Sequence, residues 1–143
     1  MYQTYLITGA TGFLGRAVLQ LLLAHSCRVL ALVMDKDPLA YTIPENVTVF
    51  CGDLTDKDTL RSFFAAGGDN FCVLHCAGIV SVASKPDEAI YRVNVQGTQN
   101  IIDLCCEFGA EKLVYVSSVH AIAEKPAPQT ITEPNHFSPD DIL

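Results

Sequence analysis

The sequence predicts an α/β domain built on a doubly wound parallel sheet with strand order 3-2-1-4-5. Three observations carry this. The apolar, β-rich runs are nearly continuous rather than alternating, the mark of strands buried on both faces. They alternate with helix-patterned segments, which places helices on both sides of a parallel sheet joined by right-handed crossovers. A glycine-rich turn follows the first run directly and opens the first helical segment, at Gly9, Gly12 and Gly15.

Thr4 to Thr8 is a short apolar run that stops at Gly9 and reads as the first strand. Phe13 to His25 follows as a helix, with Leu14, Val18, Leu21 and Leu22 at helical spacing. Arg28 to Val33 is the second buried strand, and Pro38 and Pro44 punctuate the loop behind it. Val47 to Phe50 is the third. Thr55 and Asp56 are the candidate caps of the next helix, which turns Leu60, Phe63 and Phe64 inward and ends at Gly67-Gly68. Phe71 to His75 is the fourth strand. A long helical pattern covers Pro86 to Phe108, with Gly109 as its C-terminal cap. Lys112 to Ser117 is the fifth strand. Beyond Ala123 four prolines crowd the chain, so residues 1–123 are expected to form the domain and 124–143 a Pro-rich loop tail.

Composition narrows the function. Of the 143 residues half are hydrophobic and 17% charged, which excludes disorder. No apolar run approaches the roughly 18–20 residues of a membrane span, and Met1 to Thr4 lack the basic end expected of a secretory signal, with the first apolar run cut by Gly9. A net charge of −7 without a basic stripe argues against nucleic acid. The six cysteines form no Cys-x-x-Cys pair and sit in or beside apolar runs. They read as reduced core thiols of a cytoplasmic protein. The four histidines show no ligand spacing to them, so no metal site is expected.

The strongest motif is Thr8-Gly9-Ala10-Thr11-Gly12-Phe13-Leu14-Gly15. Gly9 allows the tight strand exit, Gly12 lets backbone approach a pyrophosphate, and Gly15 lets helix and sheet pack closely. The anion would rest on unpaired N–H groups at the helix start. The segment therefore predicts dinucleotide binding.

TGATGFLG resembles the signature of the extended short-chain dehydrogenases/reductases, the NAD-dependent epimerase/dehydratase family. Within that family the chain is similar to the dihydroflavonol-reductase and 3β-hydroxysteroid-dehydrogenase-like branch. Four further segments carry the likeness in order: Gly52-Asp53-Leu54, His75-Cys76-Ala77-Gly78, Asn94-Val95-Gln96-Gly97-Thr98, and Val114 to Ser118. The resemblance implies a Rossmann-type domain and hydride transfer on a hydroxyl or carbonyl substrate. It implies that Asp53, beside Leu54, accepts from the adenine amino group and that the backbone of Cys76, Ala77 and Gly78 lies along the cofactor. It places Val116 and Ser117 beside the cofactor too. Asn94 would open its helix to place a water, and Ser118 would be the catalytic serine. His75 is expected to be a satisfied core residue and His120 a surface one.

The family's acidic position after the second strand, which would hold the ribose 2′-OH of NAD, is Val33 here. Met34 follows, and Lys36 and Arg16 could reach a 2′-phosphate, whereas Asp35 would pull toward NAD. The sequence thus favours NADP, with NAD as the alternative.

The resemblance also implies a Tyr-x-x-x-Lys pair, in which the lysine tunes the tyrosine for acid–base work. No tyrosine in the 143 residues is followed four places on by lysine. The chain is therefore expected to be the N-terminal part of a longer reductase, epimerase or dehydratase, inactive by itself. The alternative is a stand-alone module that senses NAD(P) without turning it over. In either case the fifth strand would be an exposed edge, apolar on both faces, which predicts self-association or cover by the tail.

Overall fold

The computed structural model describes residues 2–81, 87–123 and 125–135. Five parallel strands form one sheet in the order β3-β2-β1-β4-β5, as the sequence predicts. They are β1 Thr4–Thr8, β2 Arg28–Val33, β3 Thr48–Cys51, β4 Phe71–His75 and β5 Lys112–Tyr115. Leu6 pairs with Leu30 on one side and Val73 on the other, and Val73 pairs with Leu113.

Successive residues of β1 serve opposite faces, because side chains alternate along a strand. Leu6 joins Leu30, Leu32 and Val73 in a core with Leu60, Phe63, Phe64, Ile101 and Leu104. Ile7 joins Val29 and Ala31 in a second core against Leu19 of α1, Phe13–Ala24. The first core is rich in aromatic edges: Phe63 meets Phe64 and Phe50 edge-on, each pair with centroids 5.7 Å apart. The two edge strands depart from burial on both faces: in β3 and β5 most residues are exposed.

The second helical segment is shorter than its pattern suggests. A 3-10 turn, Lys57–Leu60, leads into the five-residue α2, Arg61–Ala65. Asp56 caps it by accepting from the Asp58 N–H, but Thr55 does not. Its N–H and hydroxyl both donate to Asp53 Oδ1 at 2.8 Å.

The long helical pattern divides into α3 Glu88–Tyr91, a π-helical turn Arg92–Gly97, and α4 Thr98–Phe108. Asp87 caps α3 through the Ala89 N–H, and Pro86, the expected start, lies outside the described residues. Gly109 closes α4 at φ +69°, the left-handed conformation that glycine adopts without strain. The fifth strand ends two residues earlier than expected, although the Val116 N–H still donates to His75 O at 3.0 Å.

Beyond Ala123, the described residues 125–135 hold no helix or strand and are almost all exposed. Residue 124 and residues 136–143 of the expected tail lie outside the described residues. Among those described, no helix is long and apolar enough to cross a membrane, and no group of three ligating side chains could hold a metal.

Candidate functional site

All five strands run in one direction, so the loops at their carboxyl ends gather on one edge, where doubly wound sheets bind ligands. Two adjoining clefts lie there, one of ≈ 290 Å³ and one of ≈ 470 Å³. They share the segment Cys76, Ala77, Gly78 and Ile79 as a common wall.

The first cleft has the glycine turn as its floor. Gly9 turns out of β1 at φ +71°, and a Cβ there would lie 2.7 Å from the Ala77 nitrogen, so a side chain is barred twice over. Gly12 precedes α1 in extended conformation, its N–H donating to Gly9 O at 3.0 Å and its carbonyl accepting from Arg16. A Cβ on Gly12 would meet only Gly9 O, at 3.2 Å, with no other atom within 4 Å. No side chain caps α1 and no acidic residue stands in its first turn, so the helix's own residues leave its positive end uncapped.

Thr8, Gly9, Thr11 and Gly12 of the motif line this cleft, as do Met34, Asp53, Leu54 and Cys76 to Gly78. Ala10 is buried beside the turn, Gly15 packs beneath Gly9, and Phe13 and Leu14 are exposed on α1 outside the lining. Asp53 sits at the rim with one carboxylate oxygen bound by Thr55. Leu54 is anchored from α4: Asn100 Nδ2 donates to its carbonyl at 2.8 Å. Lys36 does not line the cleft. It lies in left-handed conformation (φ 58°), its side chain solvated and 3.9 Å from Asp35.

The charged group at this position is Asp37, which sequence reasoning missed. Its Oδ2 accepts from the Thr11 hydroxyl at 2.8 Å, while Oδ1 accepts from the Leu39 N–H across Pro38. The available signal was Asp-Pro, since aspartate commonly bonds the backbone two residues on in such a turn.

The second cleft gathers Asn94, Thr98, Tyr115, Val116, Ser117 and Ser118. It brings together Asn94 and Ser118, the two residues expected to carry chemistry, and separates Val116 and Ser117 from the glycine floor. Asn94 does more than open its helix. Its Oδ1 accepts from the Ile79 N–H and its Nδ2 donates to Ile79 O, each at 2.8 Å, so it pins the common wall.

His75, at the end of β4, is fully buried. Its Nδ1 lies 2.7 Å from Thr8 Oγ1 and its Nε2 3.1 Å from Thr98 Oγ1, and its ring stacks on Tyr115 at 5.6 Å. Burial holds its pKa down to about 4, so the imidazole is neutral. The expectation of a satisfied core residue is met. All six cysteines are free thiols. Burial pushes Cys76 above the usual thiol range, so it lines both clefts as a neutral group rather than a nucleophile.

Residues 6–139 match the family described as 3-beta hydroxysteroid dehydrogenase/isomerase. The chain belongs to this family. Among its curated relatives, the rat 3 beta-hydroxysteroid dehydrogenase type 7 is 39% identical over 125 residues, 82% of this chain and 36% of that one. A putative dihydroflavonol 4-reductase of Synechocystis sp. is 35% identical over 130 residues, 87% of this chain and 35% of that one. Of solved structures, the Thermus thermophilus UDP-glucose 4-epimerase in complex with NAD superposes with a TM-score of 0.76. It is 30% identical, and the match covers 91% of this chain and 42% of the epimerase. The chain thus spans about a third of the length of these curated relatives. The branch expected from the sequence agrees with the family match.

Proposed function

We propose that the first cleft binds the adenosine and pyrophosphate of NAD(P) and that the second receives the nicotinamide and a hydroxyl or carbonyl substrate. The observation that carries this is the glycine floor: backbone N–H groups at a helix start that no side chain caps, beside Gly12, which lines the cleft and has only Gly9 O close to where a Cβ would stand. The residues present fit the dinucleotide. The glycine turn would hold the pyrophosphate, Asp53 the adenine, and the 76–79 backbone the middle of the molecule. When bound, the cofactor supplies hydride acceptance or donation. Of the chain's own groups, Ser118 would orient a substrate oxygen and Asn94 would keep the common wall in place. Epimerase, dehydratase or reductase activity of a whole protein is the same proposal at longer range. With no Tyr-x-x-x-Lys in these 143 residues, this chain is expected to bind without turnover. The division of labour at residue 123, with 124–143 as a connecting tail, is part of the proposal. A cytoplasmic setting is supported by the six free thiols.

For the finer choice of cofactor, Val33, Met34 and Lys36 point to NADP. The structure adds support for NAD. The carboxylate that follows β2 at the cleft is Asp37, held by Thr11, and Lys36 is turned to solvent. A 2′-phosphate would meet a like charge there, whereas a ribose hydroxyl would meet an acceptor. NAD is therefore the reading we favour.

Calorimetric titration of NAD and NADP into the wild type and Gly12→Val tests both levels. The valine should abolish binding of either nucleotide without unfolding the chain, because Gly12 has an ordinary φ of −75°. Equal affinity in both proteins would overturn the cleft assignment, and tighter NADP binding would overturn the choice of NAD. A sensing module without chemistry would give the same titrations, and only turnover by a chain extended to include Tyr-x-x-x-Lys separates the two.

A further inference from the structure

The hydrogen bonds around His75 determine its tautomer. Thr98 Oγ1 donates to Asn94 O at 2.7 Å, which uses its only proton, so it accepts from His75 Nε2–H. The neutral ring then accepts at Nδ1 from the Thr8 hydroxyl, which itself accepts from the Ala77 N–H at 3.2 Å. Asn94 completes the circuit through its side-chain bonds to Ile79. The bonds run from Ala77 through Thr8, His75, Thr98 and Asn94 back to Ile79. Both ends of this circuit lie in the common wall of the two clefts.

Each link comes from a different element. Thr8 ends β1 just before the glycine turn, His75 ends β4, and Thr98 opens α4 directly after the π turn. The threonine hydroxyl satisfies the Asn94 carbonyl inside that turn, where the α-helical ladder is interrupted. The imidazole is a rigid spacer with one donor and one acceptor on opposite edges.

We propose that His75 is a positioning residue: by joining Thr8 to Thr98 in its Nε2–H form, it sets the π turn against the glycine turn and holds segment 76–79 as the shared wall. Its consequence for ligand affinity rests on the cofactor reading above; the geometry does not.

The test has two arms on the intact chain. In the two-bond ¹H–¹⁵N spectrum at pH 7, His75 should show the neutral Nε2–H pattern, and an Nδ1–H or imidazolium pattern would overturn the proposal. Because His75 is wholly buried, the second arm changes its partner: Thr98→Val removes the hydroxyl and Thr98→Ser restores it. Amide exchange at Ile79 should quicken roughly tenfold in the valine variant relative to β2 amides such as Leu30, and return to wild type in the serine variant. Unchanged Ile79 protection in Thr98→Val, or a uniform rise across the sheet, would overturn it. NAD affinity measured on the same proteins should fall with Ile79 protection. Absence of NAD binding in the wild type would count against the cofactor reading and leave the spectroscopic and exchange results to stand on their own.

Discussion

A Cβ placed on Gly15 would lie 1.9 Å from the carbonyl oxygen of Gly9. Helix α1 thus crosses the strand exit with no room for a methyl group, and the obstacle is backbone that the β1–β4 pairing holds in place. Gly15→Ala should cost at least the ~1–3 kcal/mol typical of overpacking. Gly12→Ala, whose Cβ meets one atom at 3.2 Å, should cost much less. Urea denaturation of the two variants should show that order, and similar midpoints would disprove the close crossing.

The Thr11–Asp37 hydrogen bond makes a prediction about cofactor choice. Asp37→Asn keeps an acceptor for the ribose and removes the charge that faces a 2′-phosphate. NADP affinity should rise by about tenfold relative to NAD. A ratio unchanged by the substitution would remove Asp37 from the selectivity argument.

His75 gives the stability a pH dependence of defined sign. Its folded pKa, about 4, lies below the ordinary 6.5, because burial penalises the charged ring. The unfolded chain takes up the proton first, so stability is complete above pH 6.5 and falls as pH drops toward 4. The steepest loss is about 1.4 kcal/mol per pH unit. Between pH 6.5 and 5 most carboxylates stay ionised, so denaturation in that window should slope in the wild type and flatten in a folded His75→Phe. A flat wild-type profile would contradict a buried neutral imidazole.

Strand β5 pairs only with β4 among the described residues, and Val114 and Val116 are 41% and 39% exposed. Both its faces are apolar, and one of them is covered in part, since Leu113 packs against the core that includes Ile101 and Leu104 of α4. Self-association through the remaining face is our proposal. Val114→Lys should lower the mass seen by light scattering after size exclusion, with stability within about 0.5 kcal/mol of wild type. A monomeric wild type would refute it.

Periodicity and punctuation made much of the molecule legible in the sequence. The apolar runs of β1, β2 and β4 are buried on both faces, so their pattern needed no tertiary context. Gly9 and Gly15 encode a turn that admits almost no other residue, Gly9 by its positive φ and Gly15 by the backbone a Cβ would strike. Asp87, Asp56 and Gly109 cap through local bonds that a reader of sequence can anticipate for the last two. Four of the five family motifs follow strands β1, β3, β4 and β5 and lie at the carboxyl edge because parallel strands deliver them there.

Other features were decided only by contacts between distant residues. The apolar periodicity from Pro86 to Phe108 does not register the π turn at Arg92–Gly97, although the family motif at Asn94 implies an opened helix there; Asn94 and Thr98 stabilise it by bonding Ile79 and His75. Lys36 looked like a phosphate ligand until its left-handed backbone turned it to solvent and brought Asp37 to Thr11, 26 residues away. The tautomer of His75 depends on hydroxyls 67 residues before it and 23 after it. Local pattern determined the strands, the order of the motifs and the glycine floor, because those follow from backbone conformation and burial. Which polar side chains face one another across the clefts was left to the tertiary structure, because a hydrogen bond depends on distance in space and the sequence records only distance along the chain.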